Sequence, residues 1–317
     1  MSRDRVIAVT GATGFLGRHV VTALARTGAR IRILARADLP REAWRGLELD
    51  VVPGSLEDPA ALARLTAGAD AVVHAAGLIK ARRNADFLRV NRDGTRAVAE
   101  SARRHAAGSR LVVVSSLAAR EPGISGYAAS KHAGEEAARD VYRDDPDRLV
   151  IVRPPVIYGP WDRETLALFK AASRALVPIA GSGRIAIVHV GDAAAAIAQL
   201  ASGGGAAGRF ALADDHPAGY SVRELMAEAA RAVGRRARFV RIPDGALLAA
   251  GHASGWRGRL QRQVPMFSAG KAREMLHPDW SVSAGELLPY AIYRPRIGIA
   301  EGFRTTVAWY KGEQWLD

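Results

Sequence analysis

The tightest constraint on the fold stands at the N-terminus. Val6-Ile7-Ala8-Val9 is an apolar run, and Thr10-Gly11-Ala12-Thr13-Gly14-Phe15-Leu16-Gly17 follows it directly. A helical stretch then runs from Arg18 to Thr27, with Gly28 behind it. The pattern predicts strand, tight glycine turn, helix and glycine cap, with residues 30–34 as the next strand. A strand that feeds a helix and returns as a neighbouring strand makes a parallel pair with a right-handed crossover. Glycines at the strand-to-helix junction let the backbone approach a pyrophosphate, and the helix N-terminus offers it free N–H groups. Gly11, Thr13, Gly14, Phe15, Leu16 and Gly17 are therefore the cofactor-binding candidates of this turn. Their spacing, Gly-x-x-Gly-x-x-Gly, is one residue longer than the dinucleotide fingerprint Gly-x-Gly-x-x-Gly.

The first half of the chain goes on alternating. Strands are expected at 6–9, 31–34, 49–52, 71–74, 111–115 and 150–153, with helical stretches between them. Such alternation means an α/β fold, a doubly wound parallel sheet covered on both faces. Segments 71–74 and 111–115 are apolar without alternation and are expected at its centre. After Pro160 the pattern loosens. Residues 185–190 are expected to return to the sheet, Asp192 to cap a helix over 193–201, and 210–212 to form a short strand. Ser221 and Glu224 have capping-box spacing before a helix over 225–233. The expected organisation is a nucleotide-binding domain over 1–160, completed by about 185–213. A smaller, mostly helical substrate domain follows over 214–317, with 161–184 contributing.

A second pattern carries chemistry. Tyr127-Ala128-Ala129-Ser130-Lys131 stands eleven residues after Ser116, the second of the pair Ser115-Ser116. Positions i and i+4 of a helix share a face, so Tyr127 and Lys131 can act on one site. A free phenol titrates near ~10, and a neighbouring ammonium favours the phenolate, which suits the tyrosine to proton transfer near neutral pH. Ser116 follows the apolar run 111–114, and the carboxyl end of such a strand is where open α/β sheets bind ligands. Ser115 competes with Ser116 for that place. Cysteine is absent, which excludes disulfides, thiolate metal sites and a cysteine nucleophile. No cluster of His, Asp and Glu has metal-ligand spacing, so no metal is expected, and His74 reads as structural.

With these residues in place, the chain resembles the extended short-chain dehydrogenase/reductase family, of NAD(P)-dependent epimerase/dehydratase type. Residues 10–17 match its glycine motif, and His74-Ala75-Ala76-Gly77 the segment after its fourth strand. Asn91 with Gly94-Thr95 matches an asparagine that opens a central helix, and Ser116, Tyr127 and Lys131 match the catalytic residues. Arg153-Pro154-Pro155-Val156-Ile157-Tyr158-Gly159-Pro160 matches the loop beside the nicotinamide, and Val188-His189-Val190 with Asp192 a later strand and helix start. The resemblance covers nearly the whole length. It implies a Rossmann fold, a bound NAD(H) or NADP(H), and hydride transfer. It also implies that Tyr127 gives its proton to a carbonyl oxygen, Lys131 lowers the phenol pKa and holds the nicotinamide ribose, and Ser116 hydrogen-bonds the carbonyl. Asn91 then supports Lys131 through its helix and a water. Ala75, Ala76, Gly77, Pro154 and Val156, with Tyr127 and Lys131, join the cofactor-binding candidates.

The resemblance also frames the choice of nicotinamide. An acid at the end of the second strand would bond the adenosine 2′-hydroxyl and repel a 2′-phosphate. Here Ala35 holds that place and Arg36 follows. An arginine can form two charge-assisted bonds to a phosphate, so NADP(H) is favoured over NAD(H). Asp38, close behind, would act for NAD. Ser55 and Leu56 stand where relatives carry an aspartate that contacts adenine, and complete the cofactor-binding set.

The net charge is +13, yet only five of the 45 basic residues are lysines. That arginine bias reads first as the coding composition of a GC-rich bacterial genome. Two basic sets nevertheless stand out: Arg231, Arg235, Arg236, Arg238 and Arg241, then Arg257, Arg259 and Arg262 near Trp256. They flank the apolar stretch 245–250, and basic residues with an aromatic and a short apolar helix suit an anionic membrane surface. No nucleic-acid module is recognisable. No run reaches the ~20 apolar residues of a membrane span. A soluble or membrane-peripheral protein of the bacterial cytoplasm is expected, with a homodimer through the helices after Asn91 and Tyr127 by analogy with the family.

Two features bear on substrate. Sugar-nucleotide relatives carry an asparagine where this chain has Pro154-Pro155, and an arginine where it has Ile185, with Arg184 one residue early. Both departures point away from a nucleotide diphosphate and toward the hydroxysteroid-dehydrogenase and lipid-ketone-reductase (ceramide-reductase-like) branch. Leu247, Leu248, Trp256, Met266 and Phe267 would offer an apolar wall, or form the small domain's own core. The expected activity is interconversion of a ketone and a secondary alcohol on an apolar or amphiphilic molecule. The alternatives are a sugar-nucleotide epimerase or dehydratase, and a non-catalytic nucleotide-binding subunit or assembly factor.

Overall fold

The computed structural model describes residues 5–36, 44, 46–203, 205–261 and 267–316, with the backbone alone for 258–260. In chain order the first elements are β1 (Val6–Thr10), α1 (Phe15–Ala25), β2 (Arg30–Ala35), β3 (Leu49–Pro53), α2 (Pro59–Thr66), β4 (Ala71–His74) and α3 (Asn84–Leu88). Then come α4 (Gly94–His105), β5 (Arg110–Val114), α5 (Gly126–Val141) and β6 (Leu149–Arg153). Beyond them lie β7 (Val156–Tyr158), α6 (Leu166–Ala172), β8 (Val177–Ile179), β9 (Arg184–Ile185), β10 (Ile187–His189), α7 (Val190–Ala201) and β11 (Gly208–Ala211). The last are β12 (Tyr220–Ser221), α8 (Val222–Ala232), β13 (Phe239–Arg241), α9 (Asp244–Leu260), α10 (Ala269–Leu276), β14 (Asp279–Trp280) and α11 (Ile299–Gly312).

Among the described residues seven strands form the main sheet, in the order β11-β6-β5-β4-β1-β2-β3. β1 to β6 pair in parallel throughout. The chain leaves β1 toward β2 on one side and comes back to β4 on the other, so the strand order reverses between β1 and β4. That reversal opens a crevice at the carboxyl ends, the place where open α/β sheets bind ligands. The register sets Thr10 opposite His74 there. β4 and the apolar part of β5 are buried throughout, as strands covered on both faces must be. One face of the sheet packs on α2, α4 and α5 through a core that includes Leu62, Leu65, Val98, Leu111, Tyr142 and Ile151.

The chain divides into two compact units. One holds residues 1–153, 193–210 and 288–294; the other holds 154–192, 211–287 and 295–317. The second unit has its own core, built on Tyr158, Phe169, Leu225, Phe303 and Tyr310. Its strands pair in small sets: β10 with β7, β12-β9-β14, and β13 with β8. The capping box of α8 is present, with Ser221 and Glu224 satisfying each other's backbone N–H groups.

Two expectations are corrected. Residues 185–190 do not rejoin the main sheet; they divide into β9 and β10, and β11 takes the place beside β6. Pro154 and Pro155 follow β6, and prolines have no N–H to continue a ladder. The chain resumes as β7, which supplies β10 with a parallel partner from Ile187↔Val156 to His189↔Tyr158. Asp192 is not the cap of α7, which starts two residues earlier. Its carboxylate instead accepts the backbone N–H groups of Arg296 and Ile297 at 3.1 and 2.9 Å, anchoring that loop within the second unit.

Candidate active site

The glycine turn is packed to the limit. Gly11 has φ +74°, and a Cβ there would stand 2.4 Å from the Ala76 nitrogen and 2.5 Å from the Ala75 carbonyl carbon. Only glycine fits that backbone and that spacing. Gly17 is held more tightly still, since a Cβ would fall 1.9 Å from the Gly11 oxygen. Gly14 caps α1 without a side-chain bond, and the first turn carries no acid. The positive end of the helix and its N–H groups are thus available to an anion. Thr13 and Gly14 are exposed there, and Phe15 and Leu16 are half-buried behind them.

A buried chain of hydrogen bonds ties this turn to the residues after β4. Thr10 Oγ1 lies 2.7 Å from His74 Nδ1, and His74 Nε2 lies 3.0 Å from Thr95 Oγ1. Thr95 gives its proton to the Asn91 carbonyl, so its oxygen can only accept from the histidine. That assigns the imidazole proton to Nε2 and leaves Nδ1 to accept from Thr10. Burial, reinforced by the charge of Lys131, pushes His74 down to about 3. The ring is therefore neutral and structural at any working pH.

Asn91 sits in a π-helical turn, Arg89–Asp93, and is 2% exposed. Its side chain does not cap the helix behind it. Its oxygen accepts the Leu78 N–H at 2.7 Å, and its amide donates to the Leu78 carbonyl at 2.9 Å and to Ser130 Oγ at 2.8 Å. Ser130 passes its proton to the Tyr127 carbonyl. Asn91 therefore joins the loop after β4 to α5, between the two positions named from the sequence, Tyr127 and Lys131. Gly77 meets Asn91 and Lys131: a Cβ on it would lie 3.3 Å from Asn91 Oδ1 and 3.6 Å from Lys131 Nζ.

Lys131 donates to the Val114 carbonyl at 2.7 Å, the last residue of β5. Burial lowers its pKa to about 8, against the charge of Glu135, which raises it. Tyr127 is the second residue of α5, one turn earlier, with its ring 6.1 Å from that of Phe87. Ser116 is in extended backbone and caps a short 3₁₀ turn, accepting the Ala118 N–H at 3.2 Å. Ser115 is spent elsewhere. Its hydroxyl donates to the buried Glu135 carboxylate at 2.5 Å, which also takes a bidentate pair from Arg153 at 2.8 and 2.7 Å. Nothing in the sequence motifs pointed to Glu135, although it stands four residues after Lys131 on the same helical face.

The other cofactor candidates fall as follows. Ala75 and Ala76 line the turn against Gly11. Arg36 is exposed just past β2, and Asp38 lies outside the described residues. Ser55 Oγ accepts the Glu57 N–H at 3.2 Å, and Leu56 packs on Gly94. Pro154 and Val156 belong to the second unit; Pro154 is buried and Val156 is exposed. Of the suggested apolar wall, Leu247, Leu248 and Phe267 are half-buried in that unit, Trp256 is 67% exposed, and Met266 lies outside the described residues. Among the described residues no group of His, Asp and Glu is placed to hold a metal ion, and no helix is long and apolar enough to cross a membrane.

Residues 7–210 match the model of the NAD dependent epimerase/dehydratase family. The chain belongs to that family. It is an NAD(P)-dependent oxidoreductase of the short-chain dehydrogenase/reductase type, and its cofactor is a nicotinamide dinucleotide. It is 48% identical to a ceramide reductase of Caulobacter vibrioides over 98% of this chain and 96% of that one. It is 34% identical to a (4-alkanoyl-5-oxo-2,5-dihydrofuran-3-yl)methyl phosphate reductase of Streptomyces griseus, over 74% and 76% of the two chains. Among solved structures, a UDP-glucose 4-epimerase from Bifidobacterium longum in complex with NAD+ and UDP shares the fold, at TM-score 0.73 and 18% identity over 98% and 99% of the chains.

Proposed function

We propose that this family member interconverts a ketone and a secondary alcohol on a long-chain amphiphilic lipid of the ceramide type. The observation that carries the chemistry is the meeting of Gly77, Asn91 and Lys131 beside the turn that starts α1, with Tyr127 one helical turn before the lysine. The lipid class rests on the ceramide reductase likeness, which runs the length of both chains. In this reading residues 11–17 and Ala75 to Gly77 hold the dinucleotide. The bound nicotinamide supplies the hydride. Tyr127 protonates the carbonyl oxygen, the Lys131 ammonium favours its phenolate form, and Ser116 donates a hydrogen bond to the charge that builds on that oxygen. Asn91 holds the floor between Gly77 and Lys131.

Arg184 supports a reductase over a sugar-nucleotide epimerase. It stands one residue before the place where sugar-nucleotide relatives carry an arginine, and it donates to the backbone carbonyls of Ala218 and Gly219, so it is engaged within its own unit. Arg36 supports NADP(H), since it is exposed past β2 with no acid in the place before it. The exposed arginines Arg235, Arg236, Arg238 and Arg241, with the exposed Trp256, support peripheral contact with an anionic membrane. A homodimer through α4 and α5 follows from the family likeness, and light scattering on the purified protein checks it.

The test of function is a coupled pair of assays. A 3-oxo-sphingoid or 3-oxo-ceramide should oxidise NADPH stoichiometrically, and NADPH should outperform NADH at equal low concentration. Arg36→Ala should erase that preference and leave NADH turnover in place. Interconversion of UDP-sugars with no net cofactor oxidation would make the protein an epimerase and remove the proposal.

A further inference from the structure

We propose that Glu135 is a positioning residue of the active site, which holds the end of β5 in place beneath Ser116 and keeps the Lys131 amine charged. The inference rests on the oxidoreductase reading of Tyr127 and Lys131 and adds a residue to it.

The geometry is local to one corner of the first unit. Tyr127, Lys131 and Glu135 stand at i, i+4 and i+8 of α5, on one face. Glu135 is fully buried, with a side chain 0% exposed. Its two oxygens accept the Ser115 hydroxyl and both arms of Arg153, and the Arg209 guanidinium approaches to 3.7 Å. Lys131 and Glu135 thus grip consecutive residues: the lysine bonds the Val114 carbonyl and the glutamate bonds the Ser115 side chain. The Ser115 N–H is held as well, by the Val152 carbonyl at 2.7 Å. Successive side chains of extended backbone point to opposite sides. Tying Ser115 down to Glu135 therefore turns Ser116 the other way, which explains why the second serine of the pair is the one open to chemistry.

The electrostatics run in the same direction. Several titratable groups stand near Lys131. Tyr127 and Glu135 lie on its own helix, His74 at the end of β4, and Arg153 and Arg209 behind the glutamate on β6 and β11. His74 is neutral, and the two arginines are cations. Glu135 is the one anion in this set, and its charge opposes the burial that drives Lys131 down. Without it the amine would lose its proton at lower pH, and an uncharged amine does nothing for the tyrosine.

The test reads Lys131 directly. Trinitrobenzenesulfonate labels neutral amines, and mass spectrometry of the Lys131 peptide gives its labelling rate against pH. In Glu135→Gln the labelling midpoint should fall by about one pH unit or more relative to the parent. Where turnover is measurable, the acid limb of alcohol oxidation should move up in pH, because a phenol beside a neutral amine is harder to ionise. Glu135→Gln strands a buried guanidinium, so Glu135→Gln/Arg153→Gln is tested beside it and should show that fall relative to Arg153→Gln, which lacks the same cation. Glu135→Asp keeps the carboxylate and should hold the parent labelling midpoint. A folded Glu135→Gln with the parent's labelling midpoint, or a folded double variant with the midpoint of Arg153→Gln, overturns the proposal. Because labelling needs no turnover, a parent enzyme inactive on every ketone would refute the function and leave this test intact.

Discussion

Tyr127 and His74 show how differently two side chains at one site behave. Tyr127 is proposed to carry the proton, so Tyr127→Phe should bind NADPH within about twofold of the parent and lose roughly 10²–10⁴ in kcat, the range of general acid catalysis. Tryptophan-quenching titration and steady-state turnover read the two halves; an active Tyr127→Phe would remove the tyrosine from the mechanism. His74 acts on stability. Its pKa is lowered from 6.5 to about 3 by burial first and by Lys131 second. Between those values the unfolded chain binds a proton that the folded one refuses, so stability falls as pH drops from 6.5 toward 3. The slope from this group is at most about 1.4 kcal/mol per pH unit. His74→Asn should melt lower than the parent at pH 7 and show a shallower decline between pH 6 and 4, measured by thermal melts across buffers. The i, i+4 spacing of Tyr127 and Lys131 was legible in the sequence because a helix repeats locally. The partner of Ser115 was not, because Glu135 reaches it across 20 residues of chain.

Among the elements, α1 is the one whose position the glycines dictate. Gly17 lets the helix lie against the turn that precedes it, and its missing Cβ leaves the only room there is for the Gly11 carbonyl. Gly17→Ala puts a methyl onto backbone, which cannot swing away as a side chain would. The expected cost is about 1–3 kcal/mol or more, with loss of the thermal shift expected from the nicotinamide cofactor in the parent. A Gly17→Ala protein that melts and binds like the parent would show that α1 can move, and that the turn is not the dinucleotide cradle. The strands of the first unit were legible because β1, β4, β5 and β6 are unbroken apolar runs. β10 misled for the same reason. Ile187, Val188 and His189 are all buried, as a strand of the main sheet would be, but a small parallel pair with β7 hides them equally well. Burial tells how deep a strand lies and not which strand lies beside it.

For the molecule as a whole, two units each with a buried core account for 317 residues without disulfides or metal ligands in the described part. The net charge of +13 is the property that acts at this scale. Attraction of arginines to anionic lipid is screened by salt, over about 8 Å at physiological ionic strength. Co-sedimentation with vesicles containing phosphatidylglycerol should therefore be strong at low salt, weaken several-fold by 0.5 M NaCl, and be absent with phosphatidylcholine alone. Replacing Arg235, Arg236, Arg238 and Arg241 by serine should reduce it further than replacing four arginines of the first unit. Equal losses from both sets would make the effect one of overall charge and not of a surface.

From the sequence alone came the βαβ start, the parallel sheet and the three positions of the proposed chemistry, because each is written in a repeat of two, four or a few residues. Only the tertiary structure decided which strand closes the sheet, that Asn91 reaches Ser130 across 39 residues, and that Glu135 takes Ser115 and Arg153. Those choices depend on which buried groups meet once the loops between them have closed. A polar group taken out of water must find a partner wherever the packing brings one, and that place is not encoded by its neighbours in the chain.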